Sequence, residues 1–205
     1  MSEKRIYLSS ERFEIEGLLD DRNGERAVVI THPHPLYGGE MHNNVVEAIV
    51  RAYGANEFTT LRFNFRGVGA SSGKYSEGIG EQNDVKAALV YLKNLGKREI
   101  HLAGYSFGTW VNTMGLENFG EVNCVVMVSP PVNFMDFSLI NSDQRIRLVI
   151  SGSNDEIAPP RMVKEMIPTW NTKAIFHEIP DADHFYFGKT EEIEKIIGDF
   201  IANQN

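Results

Sequence analysis

The chain has 205 residues, 42% hydrophobic and 23% charged, with a formal net charge of -8. That length suits one domain over residues 1–205, burying roughly 70% of the surface its unfolded chain exposes. The acidic balance argues against a nucleic-acid partner, which would want a basic face. A lone cysteine, Cys124, excludes an internal disulfide and any zinc site built from several thiolates. No apolar run approaches the roughly 20 residues needed to span a bilayer. The segment Met1-Ser2-Glu3-Lys4-Arg5-Ile6 carries no apolar secretory core, so a cytoplasmic protein without a membrane partner is expected.

In chain order, residues 5–8 and 13–19 read as an antiparallel pair around a Ser-Ser-Glu-Arg turn. Residues 27–31, Ala-Val-Val-Ile-Thr, form a short apolar strand of the kind covered on both faces in parallel sheets. Val46, Ile49, Val50 and Tyr53 fall at helical period, predicting a helix from about residue 43 to 55. Residues 60–65 alternate as a strand. Val85, Ala88, Leu89 and Leu92 make the face of a second helix, with Asn83 or Asp84 to cap its start and Gly96 to stop it. Strand-like runs follow at 100–103, 122–129, 147–152 and 174–179. Cys124 therefore reads as a buried, inert thiol, His101 and His177 as packed core residues, and Met41, Met114 and Met127 as core filler. The closing helix carries Ile193, Ile196, Ile197, Phe200 and Ile201 on one face, with Thr190 as its cap. Strands alternating with helices predict an α/β fold: a mostly parallel sheet of about seven to eight strands with helices on both faces. Ligands of such sheets bind beyond the carboxyl ends of the strands.

The chemistry concentrates at Gly104-Tyr105-Ser106-Phe107-Gly108. This G-x-S-x-G pentapeptide stands between a strand and a helix, where it lifts one serine onto a sharp turn. An acid and a histidine follow at the ends of later strands. Asp155 sits in Ser153-Asn154-Asp155-Glu156 after the 147–152 strand, and His184 in Pro180-Asp181-Ala182-Asp183-His184 after the 174–179 strand. Serine, acid and histidine in that order are the arrangement of α/β-hydrolases.

At these motifs the chain resembles the α/β-hydrolase family. The loop His32-Pro33-His34-Pro35-Leu36-Tyr37-Gly38-Gly39, followed by Met41-His42-Asn43-Asn44, is similar to that of small lidless bacterial members related to the dienelactone hydrolases. Those relatives are described mostly as esterases. The resemblance implies an α/β-hydrolase fold and carboxylesterase-like activity on a small acyl ester, with Ser106 as nucleophile, His184 as base and Asp155 as its acid. Dienelactone hydrolases proper use cysteine where this chain has Ser106, which counts against lactone cleavage of that type. A thioesterase or peptidase is the alternative chemistry, and a receptor or interaction protein on a hydrolase fold the non-catalytic one. The stretch between the strand ending near Ser129 and the next is too short for a large cap domain, so a shallow, open site is expected.

Acyl transfer needs two N–H donors aimed at the developing oxyanion. Phe107 follows the serine and supplies one. The other is expected from the loop after residues 27–31, where Pro33 and Pro35 have no N–H and leave His34 or Leu36. Analogy with the family's His-Gly-x loop favours His34. Leu36, Tyr37, Tyr105 and Phe134 are assigned to the substrate cleft, and Met135, Phe137 and Leu139 join Phe134 as candidates to line an acyl pocket. His32, His34 and His42 lack a cysteine or well-spaced carboxylate to complete a metal set, so neither metal nor cofactor is expected. Arg66-Gly67-Val68-Gly69-Ala70-Ser71-Ser72-Gly73 lacks the glycine spacing of a dinucleotide fingerprint and reads as a bracing loop. Oligomeric state is not readable.

Overall fold

A computed structural model of the chain describes residues 3–204. Eight strands form one sheet: β1 (Lys4–Ser10), β2 (Phe13–Asp20), β3 (Arg26–Thr31), β4 (Thr59–Phe63), β5 (Glu99–Tyr105), β6 (Val122–Val128), β7 (Ile146–Gly152) and β8 (Ile175–Ile179). Their order is β1-β2-β4-β3-β5-β6-β7-β8. β1 and β2 pair antiparallel, as does β2 with β4, and every pairing from β4 to β8 is parallel. Among the described residues, four α-helices connect strands, α1 (Asn44–Ala55), α2 (Ile79–Asn94), α3 (Phe107–Met114) and α4 (Pro160–Trp170), and a fifth, α5 (Thr190–Ala202), follows β8.

Strand side chains alternate between two cores because successive β-carbons point to opposite faces. Ala27 and Val29 of β3 belong to one core with Val85 and Leu89 of α2, Val111 of α3, and Val163 and Trp170 of α4. Val28 and Ile30 pack with α1 and α5 through Val46, Ile49, Ile193 and Ile197. Both faces of the parallel strands are thus covered, which is why they read as unbroken apolar runs.

Several expectations change in the structure. α2 begins at Ile79, not at Asn83 or Asp84. Its first turn is closed by Glu81, whose carboxylate accepts the N–H groups of Ser76 and Gly78, both at 2.8 Å. Asp84 is instead fully buried inside the helix and paired with Arg66. Thr190 is the first residue of α5 and Lys189 its cap position, without a side-chain cap bond. α4 adds to the expected elements: Pro160 occupies its first position, where the missing N–H costs nothing, and Pro168 falls near its end. His177 is exposed because β8 is the sheet's edge strand, whereas His101, in the middle of the sheet, is buried. Met41 and Met127 lie in the core and Met114 is half-buried. Cys124 is 1% exposed, and burial pushes its thiol up to about 12, as an inert core residue requires.

The segment between β6 and β7 contains neither strand nor helix, so no cap covers the carboxyl ends of the strands. Among the described residues, no helix is long and apolar enough to cross a membrane.

Candidate active site

β5 ends at Tyr105 and α3 begins at Phe107, which leaves Ser106 alone on the turn between them. Its backbone takes φ 52° and ψ -121°, a conformation that costs an L-residue about 1–3 kcal/mol. The flanking glycines allow that turn. A β-carbon on Gly104 would stand 2.8 Å from the backbone of Gly108 and of Thr109, and one on Gly108 would stand 2.8 Å from the Thr31 carbonyl oxygen. Helix and strand are therefore pressed together on either side of the serine.

The structure brings Ser106, Asp155 and His184 together from the ends of β5, β7 and β8. Ser106 Oγ lies 2.9 Å from His184 Nε2, and His184 Nδ1 lies 2.9 and 3.0 Å from the two Asp155 carboxylate oxygens. Asp155 also accepts the N–H groups of Ile157 (2.9 Å) and Ala158 (2.7 Å) and the Ser129 hydroxyl (2.6 Å). Its burial acts to raise the carboxyl, but the bonds from His184, Ser129 and Ala158 outweigh that and hold it below the usual carboxylate range. The carboxylate stays charged and accepts a hydrogen bond from Nδ1–H. Nε2 is then the unprotonated nitrogen, facing the serine hydroxyl.

The loop after β3 is held from several directions. His34 caps a short 3-10 turn over Pro35–Tyr37, and its carbonyl accepts the N–H groups of Tyr37 and Gly39, both at 3.0 Å. The Leu36 N–H donates to His34 Nδ1 at 3.2 Å, so the neutral imidazole carries its proton on Nε2 and donates it to the Tyr75 hydroxyl, also at 3.2 Å. Partial burial holds His34 below the ordinary histidine range, which favours this neutral form. Leu36 is thereby committed to the turn. Among the described residues, no hydrogen bond engages the N–H of His34 or of Phe107.

The loop after β4 acts as the brace. His32 is fully buried, accepts the Phe65 N–H at Nε2 (3.0 Å) and donates from Nδ1 to the Pro33 carbonyl (2.7 Å). The Asn64 side chain accepts the Met41 N–H at 2.9 Å. Arg66 bonds Asp84 through its backbone N–H and its guanidinium, which places the loop against α2. No group of three His, Cys, Asp or Glu side chains able to hold a metal exists among the described residues.

The residues assigned to the cleft divide. Leu36, Tyr37 and Phe134 are exposed, at 67%, 88% and 73%. Tyr105 is buried and donates its hydroxyl to the His184 carbonyl at 2.6 Å, so it steadies the histidine loop and does not offer a surface to substrate. Phe137 also corrects the expectation: it packs in the core against Trp170, with ring centroids 5.4 Å apart, and lines no acyl pocket. Residues around the site that escaped the sequence reading include the exposed Phe185 and Phe187 beyond His184, with rings stacked at 6.1 Å, Tyr75 against His34, and Ser129 and Tyr186 beneath Asp155. Adjacency to His184 was the available signal for the phenylalanines. Nothing local marked Ser129.

Comparison with known proteins agrees with this fold. No protein-family model matches the chain. An uncharacterized protein of Rickettsia prowazekii is 35% identical over 209 residues, covering 96% of this chain and 88% of that one. An α/β serine hydrolase homologue from Coxiella burnetii superimposes with a TM-score of 0.90 at 30% identity, over 97% of each chain. A lidless α/β serine hydrolase from Xanthomonas campestris gives a TM-score of 0.90 at 28% identity, over 100% of this chain and 95% of its own. With a bare sheet rim and a likeness that runs its full length, the chain belongs to the lidless α/β serine hydrolases.

Proposed function

We propose that the protein is a carboxylesterase-like serine hydrolase that cleaves small acyl esters through an acyl-enzyme on Ser106. The observation that carries this reading is the unbroken series from Asp155 to His184 Nδ1, and from His184 Nε2 to Ser106 Oγ, each step at 2.9–3.0 Å. A serine hydroxyl is a poor nucleophile at neutral pH. An imidazole at this distance removes its proton as the oxygen attacks the ester carbonyl, an advantage of roughly 10²- to 10⁴-fold. Asp155 holds the ring in the required tautomer and stabilises the imidazolium that forms.

The carbonyl oxygen becomes an anion in that step. The uncommitted N–H groups of Phe107 and His34 receive it; removing one such donor costs about 10²- to 10³-fold. His184 next returns its proton to the leaving alcohol, and water repeats the sequence on the acyl-enzyme. Leu36, Tyr37 and Phe134 flank the substrate. With no lid, the leaving group extends into solvent.

The test is hydrolysis of a short-chain aryl ester by wild type and Ser106→Ala, with a fluorophosphonate probe to label the nucleophile. Loss of both turnover and labelling in the variant is the expected result. Equal rates would remove Ser106 from the mechanism, and a folded protein that neither labels nor turns over would favour a binding role. A matched panel of ester, thioester and amide substrates, scored by kcat/KM, separates the acyl chemistries.

A further inference from the structure

Asp155 is supported from below by two hydroxyl groups that the catalytic reading does not use. Ser129 follows β6 directly and is fully buried. Its backbone is held at φ 48°, in the left-handed region that L-residues seldom occupy. Its Oγ lies 2.6 Å from Asp155 Oδ2 and 2.7 Å from the hydroxyl of Tyr186. Tyr186 is likewise fully buried, with φ 54°, two residues beyond His184.

The direction of each bond follows from one fact. A carboxylate has no proton to give, so Ser129 must donate to Asp155. The single Ser129 proton is then spent, and the bond to Tyr186 must run from the phenol to the serine oxygen. Burial keeps the Tyr186 hydroxyl protonated, as a donor requires. We propose that Ser129 and Tyr186 form a positioning relay, Tyr186 O–H to Ser129 O–H to Asp155 Oδ2, that orients the carboxylate and draws off part of its charge before that charge reaches His184. The proposal rests on the catalytic reading of Ser106, Asp155 and His184.

The oxygen that accepts from Ser129 also stands 2.9 Å from His184 Nδ1. Two donors therefore share one oxygen, and each weakens what the other receives. The relay leaves less of the Asp155 charge facing the imidazole than the carboxylate alone would present. Without it, the full negative charge of Asp155 faces the ring and the imidazolium is more stable. The two hydroxyls bond neither Ser106 nor the His184 ring among the described residues, so the series they form reaches the imidazole through Asp155.

The test compares Ser129→Ala, Tyr186→Phe and the double variant with wild type. Two readouts are used: NMR titration of the His184 imidazole, and the pH profile of kcat/KM on an aryl ester. In Ser129→Ala the imidazole midpoint and the acid limb of the profile should both move to higher pH, by about half a pH unit or more. The plateau kcat/KM should fall about tenfold as the carboxylate loses an orienting bond. Tyr105, Tyr186 and Asp183 are the other titratable groups around the pair; Ser129→Ala leaves Tyr105 and Asp183 as they are and frees the Tyr186 hydroxyl, which burial keeps neutral. Tyr186→Phe keeps the buried ring and should give a smaller change in the same direction. The double variant should match Ser129→Ala, because the phenol acts only through the serine. An unchanged His184 titration in Ser129→Ala overturns the relay, and so do additive effects in the double variant. The NMR readout does not need turnover. A shifted titration alongside a Ser106→Ala variant as active as wild type would keep the relay and sink the esterase reading.

Discussion

Gly108→Ala isolates the contact on which the proposed oxyanion site depends. An ideal β-carbon at Gly108 would lie 2.5 Å from Thr31 Oγ1, 2.8 Å from the Thr31 carbonyl oxygen and 2.9 Å from the His32 carbonyl oxygen. Two of those three atoms are backbone and cannot rotate away. Comfortable contact begins near 3.5 Å, so the first turn of α3 must retreat from the end of β3 by roughly half an ångström or more. That seam separates the Phe107 N–H on the helix from the loop that carries the His34 N–H. Overpacking of this kind costs about 1–3 kcal/mol of stability. Displacing a preorganised donor costs about 10²-fold in rate. The assay pairs kcat/KM on an aryl ester with a denaturation midpoint, and Gly120→Ala serves as the control because nothing lies within 4 Å of where its added methyl would sit. Gly108→Ala should lose activity well beyond its loss of stability, while Gly120→Ala changes neither. Wild-type kcat/KM in Gly108→Ala would refute the argument that the seam sets the donors.

Three further outcomes follow from buried polar groups. Burial lowers both His32 and His101 from 6.5 to about 4, so the unfolded chain takes up these protons first. Stability is fully present above about pH 6.5 and is lost as pH falls toward about 4, by up to about 3 kcal/mol for each histidine; urea unfolding at pH 7.5 and 4.5 measures this, and equal free energies would contradict it. Asp84→Ala leaves the buried Arg66 guanidinium, which bonds Asp84 at 2.8 Å, with only the exposed Glu11 as counter-ion, and should cost up to about 3–5 kcal/mol. Adding Arg66→Ala should recover part of that loss, and a double variant no more stable than Asp84→Ala would count against it. Tyr75→Phe removes the acceptor for the His34 Nε2 proton, so kcat on an aryl ester should fall several-fold with little change in KM; an effect confined to KM would place Tyr75 against substrate instead.

The two kinds of information in this chain divide by range. Features set by near neighbours were legible in the sequence. Ala27 and Val29 alternate with Val28 and Ile30 because both faces of a parallel strand are covered, and that alternation is local. The turn at Ser106 is equally local, since glycines at 104 and 108 are what let strand and helix meet there. Asp155 and His184 could be picked out because each follows a recognisable strand, and parallel strands deliver their carboxyl ends to one rim. Asp84 shows the limit. Its type and spacing suit a helix cap, but a distant arginine claims the carboxylate and the helix starts a turn and a half earlier. Phe137 has the composition of a pocket wall and becomes core because Trp170 lies over it.

What the sequence alone determined is the parallel sheet, its order of chemistry-bearing loops and the serine on its turn, because periodicity and turn stereochemistry act over a few residues. Which neighbouring groups complete the site was decided only by the tertiary structure. Ser129 and Tyr186 meet Asp155 across 26 and 31 residues of chain, the latter through Ser129 itself. Their hydroxyls can serve the carboxylate only in a buried space with no competing water, and that space exists only once β6, β7 and the loop after β8 have packed together.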